Sequence, residues 1–202
     1  MDCRKSTSSE WFLVYLAITA ILPAVWSAPT FPNHQTKLDL ENVVNVLISE
    51  GGKLYSEICK TPNLCRNSAE HLVRMDLKLP EITDIKSGCL SKNFDKKKCL
   101  PKIYRDLLSF QTYLDFLKES MPSSKNIIDS MQLMSVQLAK AVKDLEDMPS
   151  EDKEDTTPGI TVADLRSNNQ WSQNLTSYII LQSFKEYMEK AARAIRAVNI
   201  LK

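Results

Sequence analysis

The residues able to do covalent chemistry in this chain are few, and the cysteines come first. There are five, Cys3, Cys59, Cys65, Cys89 and Cys99, against only two histidines, His34 and His71. Thiols can hold zinc, attack a substrate or pair with one another. Zinc needs closely spaced ligand pairs, and no C-x-x-C occurs, nor does either histidine sit at ligand spacing. A catalytic nucleophile needs a base beside it, and no G-x-S-x-G, H-E-x-x-H or redox C-x-x-C can be written. Carboxylate pairs such as Asp144 and Asp147 lie on an amphipathic stretch, where they form a solvated face. The four glycines, Gly51, Gly52, Gly88 and Gly159, compose no phosphate-binding loop. The sequence therefore offers no catalytic residues, no metal site and no cofactor. With 26 basic and 25 acidic residues among 202, a net charge of +1, it also lacks the electrostatic footprint of a nucleic-acid or anionic-membrane binder.

What remains for the thiols is the disulfide, and that depends on compartment. Residues 1–27 read as a secretory signal: Arg4 and Lys5 form a basic start, Trp11 to Leu22 an apolar run, and Val25 and Ser27 the small residues before a cleavage point. A membrane anchor needs about 20 apolar residues, and this run stops at Pro23. No other segment approaches membrane length, so no membrane insertion is expected after cleavage and the mature chain, 28–202, is expected to be secreted as a single domain. Cleavage removes Cys3 and leaves an even set. Three pairings can be drawn. The spacings favour two local rings, Cys59–Cys65 and Cys89–Cys99, each stabilising by about 2–3 kcal/mol in the chain-entropy picture.

The elements that carry these rings are helices. Ile103, Leu107, Phe110, Leu114 and Leu117 step by four and three, a single helical stripe. The same spacing recurs in Ile127, Met131, Met134, Leu138, Ala141 and Leu145, and in Leu175, Tyr178, Leu181, Phe184, Met188, Ala191, Ile195 and Val198. A weaker helix runs through Leu40, Val43, Val44, Leu47, Leu54, Tyr55 and Ile58, with a kink or fraying expected at Gly51-Gly52 because each glycine costs about 1 kcal/mol relative to alanine. The expected helices are about 37–59, 100–120, 123–147 and 162–201, and no strand pattern follows Asn33. The fold class is all-α, a four-helix bundle. Its first connection is near forty residues, its second only Met121-Pro122-Ser123-Ser124, and its third, about 148–160, is long and acidic. One short link between two long crossovers specifies up-up-down-down. Asn174-Leu175-Thr176 is an N-glycosylation sequon, though it lies within a helix near the core stripe; Asn63-Leu64-Cys65 is weaker if Cys65 is bridged.

The cysteine pattern C-x5-C then C-x9-C, followed by Leu107, Phe110 and Leu114, resembles the family of long-chain helical cytokines that holds interleukin-6 and granulocyte colony-stimulating factor. Asp106 stands where the family signature has glycine, a departure expected to matter little because the position falls off the apolar stripe. Asn169-Gln170-Trp171, the run Ile180 to Tyr187, Arg193 to Arg196, Leu77 to Pro80 and Phe110 to Leu114 look specifically like the interleukin-6 branch. The resemblance spans about Leu40 to Val198.

It implies a secreted cytokine that binds a specific α receptor and then cross-links the shared signalling subunit glycoprotein-130, driving immune, inflammatory, acute-phase and growth signalling. The α-receptor site is implied at Leu90, Phe94, Arg193 and Arg196. A second site falls on the first and third helices, at Val46, Glu50, Met134, Gln137 and Lys140, with Glu50 and Ala141 departing from the family. A third combines Trp171 with Leu72 and Met75. The expected state is a monomer before receptor engagement. A colony-stimulating-factor-like ligand is the rival within the class, and a secreted carrier of an apolar ligand the rival outside it.

Overall fold

The computed structural model describes residues 33–61, 64–66, 77–83, 87–89, 94–146 and 159–200. Five helices follow in order: α1 (Asn33–Ile58), α2 (Lys96–Ser120), α3 (Lys125–Glu146), a short α4 (Val162–Leu165) and α5 (Gln170–Ile200), with single 3₁₀ turns at Leu64–Arg66 and Pro122–Ser124. No strand occurs among the described residues. The leader 1–27, Asn63, Leu72, Met75, Leu90, the side chains of His34 and Glu146, and the acidic stretch 147–158 lie outside the description. The helices pack together within the unit Thr36–Lys202.

The contacts fix the direction of each long helix. Tyr55 stacks near Tyr178, and Glu41 reaches Arg196, so α1 and α5 run antiparallel. Ser120 meets Ser177 while Phe110 meets Phe184 and Tyr187, so α2 and α5 are antiparallel too. Lys143 lies over Tyr104, and Gln132 bonds Asp115, so α3 opposes α2. Hence α1 and α2 point one way and α3 and α5 the other. This is the up-up-down-down bundle, closed by one short link.

Burial follows the stripes of α2 and α5 residue by residue. The centre of the core is aromatic: the Phe110 ring lies 5.2 Å from that of Phe184 at 90°, 5.1 Å from Tyr187 and 6.0 Å from Tyr113. Edge-to-face contacts of this kind add to the area they bury. In α3 the inward stripe is Ile128, Met131, Ser135, Leu138 and Val142. Ile127, Met134, Ala141 and Leu145, expected on that stripe, sit half-buried on its flank. A helix of alternating apolar rows reads equally well with either row inward, and packing against α2 selects one.

Three other expectations change. α1 passes through Gly51-Gly52 without a break, because the backbone there is held by tertiary packing: a Cβ on Gly51 would stand 3.5 Å from the Phe184 ring and 3.8 Å from Met131 Cε. α2 begins at Lys96, four residues before the expected start, because Asp95 caps it, accepting from the Lys98 N–H at 3.3 Å. The last helix is not continuous from 162. Thr161 and Asp164 form a capping box around one turn of helix, the backbone extends at Arg166, and α5 restarts where Asn169 Oδ1 accepts from the Trp171 N–H at 2.8 Å. Ser-Asn-Asn, a run of cap formers, supplies the break.

Gly52 carries the first prediction. Nothing stands within 4 Å of where its Cβ would be. Gly52→Ala is expected to raise unfolding free energy by about 0.5–1 kcal/mol in denaturant titration, through helix propensity and a stiffer unfolded chain.

Candidate receptor-binding surfaces

Disulfides join Cys59 to Cys65 and Cys89 to Cys99, with Cα separations of 5.6 and 4.8 Å. The second ring is built around the start of α2. Gly88 adopts φ +66°, and a Cβ there would come within 3.1 Å of Asp95 and Lys98, so only glycine fits the turn. The Gly88 carbonyl accepts from the Asp95 N–H at 2.8 Å, closing the ring from inside. Lys96 Nζ then donates to the Leu145 carbonyl at 2.9 Å, tying the ring to the last turn of α3. Phe94, in this ring, is half-buried and packs against the core. Because α2 and α5 are antiparallel, the start of α2 and the last turns of α5 lie at one end of the bundle. Arg193 and Arg196 are exposed there on a row with Glu189. Arg196 Nε lies 3.8 Å from a Glu41 carboxylate oxygen.

Ahead of this ring, the crossover is pinned to the bundle by long-range hydrogen bonds. Tyr113 donates its hydroxyl to the Leu77 carbonyl at 2.7 Å and contacts the Lys78 carbonyl at 3.2 Å, where Lys78 adopts φ +47°. Burial pushes the Tyr113 phenol up to about 12, so it stays a donor. Lys190 Nζ donates to the Ile82 carbonyl at 3.1 Å. A cavity of about 140 Å³ remains between this strap and α5, bordered by Lys78, Glu81, Glu186, Tyr187 and Lys190. It is smaller than small-molecule pockets, which run from about 300 Å³, and is ringed by charge. With aromatic rings filling the bundle centre, this does not favour an apolar carrier.

The opposite end holds Trp171, 42% exposed, at the first turn of α5. The segment leading to it is anchored by a two-pronged Arg166–Glu119 pair, 3.0 Å from Nε and 2.9 Å from the second nitrogen. On α1, Val46 is exposed and Glu50 is half-buried and pairs with Lys53 at 2.7 Å. Met134 is half-buried on α3, and Gln137 and Lys140 are exposed. Leu133 and Val136, 61% and 45% exposed on the outer side of α3, were missed, although they fall off its apolar rows.

Among the described residues, exposed Trp171 thus lies at the start of α5, and exposed Arg193 and Arg196 lie in its last turns. A profile of the Interleukin-6/G-CSF/MGF family matches residues 27–198. The chain belongs to that family. Interleukin-6 of Gallus gallus is 36% identical over 161 residues, 79% of this chain and 66% of that protein. Interleukin-6 of Saimiri sciureus is 29% identical over 198 residues, covering 90% and 92% of the two chains. Sus scrofa interleukin-6 is 30% identical over 161 residues, covering 77% and 74%. A chain from a crystal structure of a cytokine/receptor complex superposes with TM-score 0.65 at 19% identity, covering 79% of this chain and 96% of its own, which shows the shared fold. As a member of the interleukin-6 family the chain is a cytokine and not an enzyme.

Asp106, at the family's glycine position, is not the bystander its place off the stripe suggested. Its side chain is 15% exposed and pairs with Lys102 at 2.7 Å. The carboxylate is close enough to the buried Tyr187 hydroxyl for the two to influence each other's charge, without meeting hydrogen-bond geometry. Burial lifts the Asp106 carboxyl above the ordinary value of 3.8, the Lys102 ammonium only partly opposing it. The folded state therefore holds this proton more tightly than the unfolded chain, and stability falls as pH rises from the unfolded value through the raised one. In Asp106→Asn that loss is absent, so the stability difference between variant and wild type is expected to shift in the variant's favour from about pH 4 to about pH 7, read by urea unfolding at each pH.

Proposed function

We propose that this chain is exported after removal of residues 1–27 and acts as a monomeric ligand. In this reading it binds an interleukin-6-type α receptor at one end and then cross-links the signalling subunit glycoprotein-130 through two further surfaces. The α-receptor surface is the Cys89–Cys99 ring with Leu90 and Phe94, together with Arg193 and Arg196. The second joins α1 and α3 at Val46, Glu50, Met134, Gln137 and Lys140. The third is Trp171 with Leu72 and Met75. No cofactor, nucleic acid or membrane insertion enters this mechanism.

The observation that carries it is the separation of Trp171 from the arginines, one at each end of a single helix, α5. A rise of about 1.5 Å per residue puts 22 to 25 residues, Trp171 to Arg193 and Arg196, on the order of 35 Å apart. Two receptor chains can occupy such surfaces without collision. Exposed tryptophan and arginine are also the side chains most often found as interface anchors.

The test mixes the mature chain, freed of any N-linked sugar, with soluble α-receptor and glycoprotein-130 ectodomains and follows assembly by size-exclusion chromatography with light scattering. A ternary complex is expected. Trp171→Ala is expected to bind α receptor within about twofold of wild type and to lower recruitment of the signalling subunit at least about tenfold. If recruitment and cell signalling both survive the substitution, Trp171 is not part of the third surface.

A further inference from the structure

The sequon Asn174-Leu175-Thr176 remains outside this mechanism, and its position in the fold gives it a use. Asn174 sits three residues after Trp171 on α5, so the two side chains are neighbours on one helix face. Its Oδ1 accepts from Gln170 Nε2 at 3.0 Å. Its Nδ2, the atom an oligosaccharide would join, has no hydrogen-bond partner among the described residues, and the side chain reaches the surface. Leu175 and Thr176 are buried, at 3% and 8% exposure. Folding therefore hides the hydroxyl residue of the sequon while leaving the asparagine outside, which is compatible with attachment to the extended chain before α5 forms. The other sequon-like triplet, Asn63-Leu64-Cys65, lacks a free third side chain, since Cys65 is bonded to Cys59.

We propose that Asn174 carries an N-linked oligosaccharide in the exported chain, and that this glycan stands over Trp171 and blocks the third receptor surface. In the attachment step Nδ2 bonds to the anomeric carbon of a lipid-diphosphate-linked oligosaccharide. The bond from that carbon to the diphosphate oxygen breaks, the lipid diphosphate leaves with the electron pair, and Nδ2 gives up one proton. Oδ1 keeps its place as acceptor for Gln170. A branched sugar chain one helical turn from the indole is bulkier than the indole and hydrated, so a partner surface cannot close on Trp171 while it is present. Unglycosylated chains would then be the fully competent form. The blocking half of this proposal rests on the reading of Trp171 as a contact; the attachment half rests only on export.

The full chain, secreted from cultured animal cells, is measured by intact mass before and after peptide-N-glycosidase, with peptide mapping at position 174. A mass loss with Asn174 converted to aspartate is expected, and none in Asn174→Gln or Thr176→Val. A single unmodified mass for the wild type overturns the attachment. Deglycosylated and glycosylated proteins are then compared for binding to α receptor and to the signalling subunit. Removal of the glycan is expected to leave the first unchanged and strengthen the second about tenfold. If removal changes nothing while Trp171→Ala weakens recruitment, blocking is overturned and the third surface stands. If neither change matters, blocking and the Trp171 surface both fall, and attachment is judged by mass alone.

Discussion

Replacing Phe110 by alanine is expected to lower unfolding free energy by about 3–5 kcal/mol, the range for deleting a large aromatic side chain from a core. Phe110 is fully buried and touches two rings of α5, Phe184 and Tyr187, as well as Tyr113 on its own helix. Removing it leaves a void between rings that cannot collapse, because Phe184 is also held against Gly51 of α1. A domain of this size has about 5–15 kcal/mol to lose, so the variant is expected to be marginal at body temperature. Leu108→Ala on the same helix, at a residue 40% exposed, serves as comparison and is expected to change little. Urea unfolding followed by circular dichroism measures both. A loss below about 1 kcal/mol for Phe110→Ala would show that the ring cluster is not what joins α2 to α5.

The residues that fix this core were readable because periodicity is a local property that tertiary packing then reuses. On α2 and α5 the expected row is buried throughout, widened by Tyr113 and Phe116 on α2 and by Ile179, Ile180 and Tyr187 on α5. On α3 two rows compete, Ile127-Met134-Ala141 and Ile128-Ser135-Val142, and the choice between them belongs to the neighbouring helices. The inward row even contains Ser135, whose buried hydroxyl no hydrophobicity argument selects. Ends were less legible than centres for a related reason. Asp95 before three lysines is an N-cap pattern, but the cysteine ring drew the boundary later. Thr161-x-x-Asp164 is a capping box that starts only one turn, and Ser167-Asn168-Asn169 then offers the backbone a better alternative than continuing.

The surfaces followed a different logic. Arg193, Arg196 and Trp171 were implied by the family resemblance, and all three side chains are exposed on α5. The segments around α5 are held by long-range contacts: Tyr113 and Lys190 hold the crossover, and Arg166–Glu119 anchors the approach to Trp171. None of these pairs has a sequence spacing that announces it, since Tyr113 and Leu77 are 36 residues apart and Lys190 and Ile82 are 108 apart.

Charge reversal at Arg196 is expected to weaken α-receptor binding by about 2 kcal/mol or more, about thirtyfold, while leaving the fold intact. The competing view is that Arg196 is structural, through Glu41 or through the negative end of the α5 dipole. The Glu41 pair is 3.8 Å apart with side chains 50% and 37% exposed, and such pairs contribute about 0–1 kcal/mol. A cation near a helix C-terminus adds about 0.3–1 kcal/mol. Both are too small to account for a thirtyfold change in binding by partial unfolding. The double variant Arg196→Glu with Glu41→Arg separates the readings, since it restores an ion pair across α1 and α5 with the charges exchanged. If Arg196 works by holding α1 to α5, stability and receptor affinity recover together in surface plasmon resonance and urea titration. If the guanidinium itself meets the receptor, stability recovers and affinity does not. Unchanged affinity for Arg196→Glu alone would remove this residue from the α-receptor surface, and leave Arg193 and the Cys89–Cys99 ring to form it.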